Sequence, residues 1–175
     1  MKKLNLAILE DGSSTGLSVR AGGFLAEAAS VCLDSHSHPV EIPFSVEGVI
    51  AESYELTRLT TDALSAASFA DMQETVEYGA MGIAVALLHD QKGWKVKRSW
   101  KGTGFDYWVG AEGDSQPFQD LARLEVSGSL KGTHIDLQTR LKQKLDQTNV
   151  SAGLGLPAYA VVVGFSDPKT LTGKR

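Results

Sequence analysis

The sequence predicts an α/β protein, and three observations carry that expectation. The run DMQETVEYGAMGIAVALLHD, beginning at Asp71, repeats apolar residues at helical spacing. Three short segments follow, GWKVKRSW, FDYWVG and ARLEVSGSL, and the first alternates Trp94 and Val96 with Lys95 and Lys97 as a strand does. Then come a leucine-striped helix, THIDLQTRLKQKLDQT, and an almost wholly apolar run, AYAVVVGFSD, the pattern of a strand covered on both faces. Helix, three strands, helix and strand make a core over 71–167. An N-terminal α+β extension over 1–70 precedes it and a tail over 168–175 follows, within a single domain over 1–175.

In the extension, LNLAIL and LSVRA read as two short strands around the polar turn EDGSSTG. GFLAEAASVCLDSH, from Gly23, reads as a helix with Phe24, Ala28, Val31 and Cys32 on one side. PVEIPFSVEG alternates, with Val40, Ile42, Phe44 and Val46 on one face. A weaker pattern follows, with a strand around Tyr54 to Leu59 and a short helix around Thr61 to Ala67. In the core, Val76, Ala80, Ile83, Ala84 and Leu87 form one apolar face of the long helix. Leu137, Leu141 and Leu145 stripe the second helix, which starts near Thr133 or His134.

At 175 residues, 42% hydrophobic and 22% charged, the chain is long and apolar enough to bury a real core. The lone Cys32 excludes an intramolecular disulfide and suits a reducing compartment. Glu10 and Asp11 interrupt the amino-terminal run before it reaches signal-peptide length, and no segment is long enough to cross a bilayer. A cytoplasmic location with no membrane association is expected. The net charge is −4, yet residues 92–144 hold ten Lys and Arg against six Asp and Glu. A basic sub-region on an acidic body points to a phosphate-rich partner; an ordinary solvated surface accounts for the same numbers.

Two strand-like segments each carry one acid among apolar residues. In FDYWV, Asp106 and Trp108 share a face; in ARLEVS, Arg123, Glu125 and Ser127 share one. On neighbouring strands Asp106 and Glu125 would lie side by side, and two such carboxylates repel unless a cation sits between them. Paired hard oxygen donors suit Mg²⁺ or Mn²⁺, which fill their remaining positions with water and phosphate oxygens. An isolated strand acid commonly sits on a solvated face; the pair within this element order is what suggests a site.

The element order together with GTGFDYWVG and LEVS resembles the restriction-endonuclease-like PD-(D/E)XK superfamily, over roughly residues 71–167. The resemblance implies an αβββαβ core with a mixed central sheet and a magnesium-dependent nuclease hydrolysing DNA phosphodiesters. Asp106 and Glu125 would be its metal ligands, and a glutamate from the first helix would assist. Glu77, flanking the apolar face, matches that role better than Glu74, although alone it reads as a helix-surface residue. The family places a lysine two residues after the second acid, where this chain has Ser127, which supplies no positive charge. Some members recruit a lysine from elsewhere; Lys144 and Lys131 are the candidates here, with Arg140 able to hold a phosphate but not to act as a base. The resemblance therefore implies either an active nuclease with a relocated lysine or a catalytically inactive relative that binds nucleic acid or a protein partner. Many such folds pair as homodimers to address both strands of a duplex.

The run KGWKVKRSWKGTG interleaves bases with Trp94 and Trp100. Lys95, Lys97, Arg98 and Lys101 would contact phosphates while indoles meet nucleobases; equally, the lysines would guard a strand edge. In HSHP, His36 and His38 with Glu41 and Cys32 would make a zinc set, but a helix-ending turn is the preferred reading. Cys32 reads as a small buried residue. No phosphate-binding P-loop, Gly-x-Ser-x-Gly or dinucleotide fingerprint is present.

Overall fold

A computed structural model describes residues 1–111 and 122–175. Its eight strands are β1 (Lys2–Asn5), β2 (Glu41–Gly48), β3 (Glu52–Thr57), β4 (Lys95–Arg98), β5 (Tyr107–Gly110), β6 (Ala122–Ser129), β7 (Ala158–Gly164) and β8 (Lys169–Lys174). They form one mixed sheet in the order β1-β3-β2-β8-β7-β6-β5-β4. Four helices accompany it: α1 (Val19–Asp34), α2 (Ala63–Ser68), α3 (Met72–Lys92) and α4 (His134–Gln147). The α/β class is therefore present. So are the expected long helix, three strands, second helix and apolar strand in the expected order.

The helix limits follow from local chemistry. Ser18 Oγ accepts from the Ala21 N–H and starts α1 there. LSVRA is consequently not a strand but the cap and first turn of α1, and residues 6–9 of the first expected strand lie in a 3-10 turn, Leu6–Glu10. Asp71 caps α3 through the Gln73 and Glu74 N–H groups, and Gly93 ends it in the left-handed conformation at φ 62°. Thr133 and Asp136 form a reciprocal capping box that launches α4.

Helix α3 packs on one face of the sheet with α1 lying along it, and α4 covers part of the other face over β6, β7 and β8. This explains the two strand patterns. In β7 every residue is buried, with Val161 and Val163 in the large core and Val162 packed beside Leu137. In β2, Ile42, Phe44 and Val46 are buried while Glu41, Pro43 and Glu47 remain exposed, the alternation of a strand buried on one side. Val40, expected on the same face, lies before the strand and is exposed. Helix α3 is buried over the continuous stretch 79–88 rather than along one stripe, being sandwiched between α1 and the sheet.

The segment read as a tail contains β8, and β8 is central. It pairs parallel with β2 and antiparallel with β7, so it joins the strands of residues 1–70 to those of 71–167 in one sheet. The free edge of β4 is partly closed by the N-terminal segment, where Thr15 O accepts the Val96 N–H at 2.8 Å.

On β6, alternate residues divide the two layers. Leu124, Val126 and Gly128 face α3; Arg123, Glu125 and Ser127 face α4. Gly128 permits the close approach of α3, since a Cβ there would stand 2.5 Å from Val76 O. Gly128→Ala is expected to destabilise the fold by about 1–3 kcal/mol, the usual range for overpacking, read as a lower urea midpoint.

Candidate functional site

Asp106 immediately precedes β5, whose antiparallel register with β6 pairs Tyr107 with Leu124. The Asp106 N–H also donates to Leu124 O, at 2.8 Å, which holds Asp106 against β6 beside the Glu125 stretch. Both acids line a cleft of about 480 Å³ where the N-terminal half of α3, the C-terminal end of α4 and the 99–106 loop converge.

Each acid is held differently. Asp106 Oδ2 accepts the Val126 backbone N–H at 2.9 Å, and Oδ1 lies 3.1 Å from the Arg98 guanidinium. Arg98 also reaches Asp106 O at 3.1 Å and lies over the Tyr107 ring at 5.0 Å. Glu125 is only 3% exposed, and its Oε1 accepts from Lys144 Nζ at 2.7 Å. Gln147, one turn further along α4, holds the same ammonium at 3.3 Å. Burial pushes the Glu125 carboxyl up to about 7; repulsion from Asp106 and Glu77 adds to the rise, while the Lys144 hydrogen bond and charge oppose it.

The structure thus brings together Asp106, Glu125, Lys144 and Glu77, which lines the cleft from α3. Glu74 stays outside on the helix surface, where it accepts from Tyr78 Oη at 2.9 Å. Lys131 is exposed two residues beyond β6 and does not line the cleft. Ser127 shares the Glu125 face, and the Arg140 guanidinium makes a long contact with its hydroxyl at 3.5 Å. Of the basic residues read as phosphate contacts, Arg98 and Lys101 line the cleft. Lys97 is exposed and Lys95 half-buried on β4, away from the lining, while Arg140 is exposed on α4.

Two partners escaped the sequence reading. Gln147 stands three residues after Lys144, a helical spacing that signals a shared face. The Val126 N–H carries no side-chain signal at all, since it follows only from register.

The described residues contain no group of three or more His, Cys, Asp and Glu able to hold a metal ion. An ion in this cleft would therefore rest on two carboxylates, the number Mg²⁺ commonly takes from protein. Both side chains offer the hard oxygens such an ion takes, and each already faces one cation of the chain, Arg98 at Asp106 and Lys144 at Glu125. In the HSHP turn, His38 Nε2 lies 2.9 Å from Phe165 O, and Cys32 is buried with its thiol raised to about 12 by desolvation. Among the described residues no helix is long and apolar enough to cross a membrane.

No family model, curated protein or solved structure matches the chain.

The Glu125 environment has a consequence for stability. Burial raises the folded carboxyl to about 7, whereas an unshifted glutamate titrates at 4.5. Between those values the folded state binds more protons than the unfolded one, so this group's contribution to stability is full below about pH 4.5 and is lost as pH rises through 7. Glu125→Gln removes the titration. Wild type should therefore lose stability relative to Glu125→Gln between pH 5 and pH 8 in urea denaturation; a constant difference would contradict the buried carboxyl.

Proposed function

We propose that the protein is a metal-dependent nuclease of the restriction-endonuclease-like PD-(D/E)XK kind that hydrolyses DNA phosphodiesters. The observation that carries this reading is the convergence of Asp106 and Glu125 on one cleft with Lys144 in hydrogen-bonding reach. The order α3-β4-β5-β6-α4-β7, with β7 parallel to β6 and β5 antiparallel to it, supports the same family reading.

In this reading Asp106 and Glu125 hold Mg²⁺ or Mn²⁺, and Glu77 adds negative charge from α3. The bound ion would lower the pKa of a water and neutralise charge on the phosphate. Asp106 is fixed for its role by the Val126 N–H, so its free lone pairs keep one direction. Lys144 takes the place of the absent motif lysine: it reaches Glu125 from α4 while Ser127 occupies the strand position. Its ammonium is positioned to orient water at Glu125 and to stabilise the phosphate. Arg98 and Lys101 supply cationic contacts for the flanking phosphates.

One observation favours a second reading, a catalytically inactive relative that serves as a nucleic-acid- or protein-binding subunit. Both acids already have basic partners within the chain, Arg98 for Asp106 and Lys144 for Glu125. A cation entering the cleft must compete with those pairs.

The two separate experimentally. Purified protein with Mg²⁺ or Mn²⁺ should cleave DNA. Asp106→Ala and Glu125→Ala should abolish cleavage. Lys144→Ala should reduce it roughly 100-fold or more, the scale of a lost proton-transfer or charge-stabilising group, whereas Lys131→Ala should leave it unchanged. Circular dichroism of each variant checks the fold. No cleavage together with no calorimetric Mg²⁺ or Mn²⁺ binding by wild type would establish the binding-subunit reading.

A further inference from the structure

A second hollow, of about 410 Å³, adjoins the acid cleft and shares Trp100, Gly102, Thr103 and Phe105 with it as a common wall. The opposite wall comes from the segment after α4. Three large apolar side chains around this groove are left in water: Trp100 is 68% exposed, Val150 74% and Leu154 51%. Most large apolar residues among those described are buried, so three around one groove mark a surface shaped for contact.

Both walls are held in place without a ligand. Phe105 is buried and braces the Trp108 ring edge-to-face at 4.6 Å. Gly104, at φ 77°, lets the Trp100 loop pack against the far wall; a Cβ there would meet Val150 at 3.1 Å. Arg123 anchors the far wall from beneath. Its guanidinium donates to Thr148 O at 2.7 Å, Ser151 Oγ at 2.8 Å and Leu156 O at 2.7 Å. A groove so supported needs little ordering when a ligand enters.

The occupant must satisfy two neighbouring demands at once. The groove asks for a flat, apolar-faced group beside an indole. The adjoining cleft is lined by Glu77, Asp106 and Glu125, but its rim also presents Lys101 and Arg98, which can meet a phosphate one shared wall away. A nucleotide has that arrangement, a base and a phosphate joined through one sugar. In a duplex the base faces are stacked on their neighbours, so the groove admits a base only from an unpaired strand.

We infer that the site acts on single-stranded DNA, with one unpaired base seated against Trp100 while its phosphate meets Lys101 and Arg98 at the rim of the acid cleft. This deepens the nuclease reading and rests on it for the cleavage step, but base capture is measurable without cleavage. Trp100 is a binding residue here, and its exposure means that its replacement leaves the core intact.

The test is fluorescence anisotropy in EDTA, where no hydrolysis occurs, with a short labelled oligothymidylate, its abasic counterpart and a duplex of equal length. Wild type should bind the oligothymidylate more tightly than either of the others. Trp100→Ala should weaken that binding roughly 10- to 100-fold, the range for a lost stacked base, and Trp100→Phe should restore most of it. Lys101→Ala should weaken all three probes alike, as a phosphate contact does. Equal affinity of wild type and Trp100→Ala for oligothymidylate, equal affinity for the abasic strand, or no binding by wild type would each overturn the inference. So would a concentration-dependent dimer that Trp100→Ala dissolves without changing DNA affinity, which would assign the groove to self-association. Failure of the parent reading looks different: Trp100-dependent binding with no metal-dependent cleavage removes the nuclease and keeps the strand-binding groove, whereas cleavage of duplex DNA indifferent to Trp100 does the reverse.

Discussion

Glu125 places a carboxylate inside a sheet, on a strand whose residues are all buried, and the surrounding structure answers that charge. Desolvation of an ionised carboxylate is costly unless hydrogen bonds and an opposite charge meet it. Lys144 supplies both, and it can do so only because α4 lies across the β6 face with its C-terminal end over Glu125. Leu137, Leu141 and Leu145 fix α4 in that position through Val162, Leu171 and the bare surface of Gly173. Apolar packing of one helix thus positions the ammonium, and the ammonium makes the buried acid tolerable. Asp106 works against that balance and Arg98 restrains it, so the cleft holds two opposed charge pairs close to neutrality.

Much of the fold was legible because coverage writes itself into composition. The Ala158–Gly164 strand lies under helices on both sides and reads as an apolar run; Glu41–Gly48 is covered on one side and alternates. Where the outcome depended on a partner distant in sequence, the pattern failed. Lys169–Lys174 has one large apolar residue, Leu171, and owes its central position to Thr170 and Thr172 fitting between two flanking strands. Leu17 and Val19 alternate as a strand would, but the Ser18 hydroxyl starts a helix there. For a short segment one cap hydrogen bond outweighs a two-residue apolar pattern.

The site was legible in part for the same reason. Strand alternation grouped Arg123, Glu125 and Ser127 on one face, and the element order brought Asp106 and Glu125 to one cleft. Sequence could not choose among Lys144, Lys131 and Arg140, since that choice depends on where α4 crosses β6. Nor did it reveal that Arg123, beside Glu125 in the chain, serves a different purpose: it is buried and ties down the segment after α4. Trp100 stood out as an aromatic among bases; that it borders both hollows is a property of the loop between β4 and β5.

Strand β8 has a further consequence, for the order in which the molecule assembles. Among the described strands it alone bridges β2 and β7, yet it follows every one of them along the chain. Until it emerges, the ribbon of β1, β3 and β2 has no hydrogen-bonded connection to β7, and each half presents an unpaired edge to the cell. Closure waits for translation to pass residue 169, and the nascent chain depends on α1 and α3 packing together to keep the halves within reach.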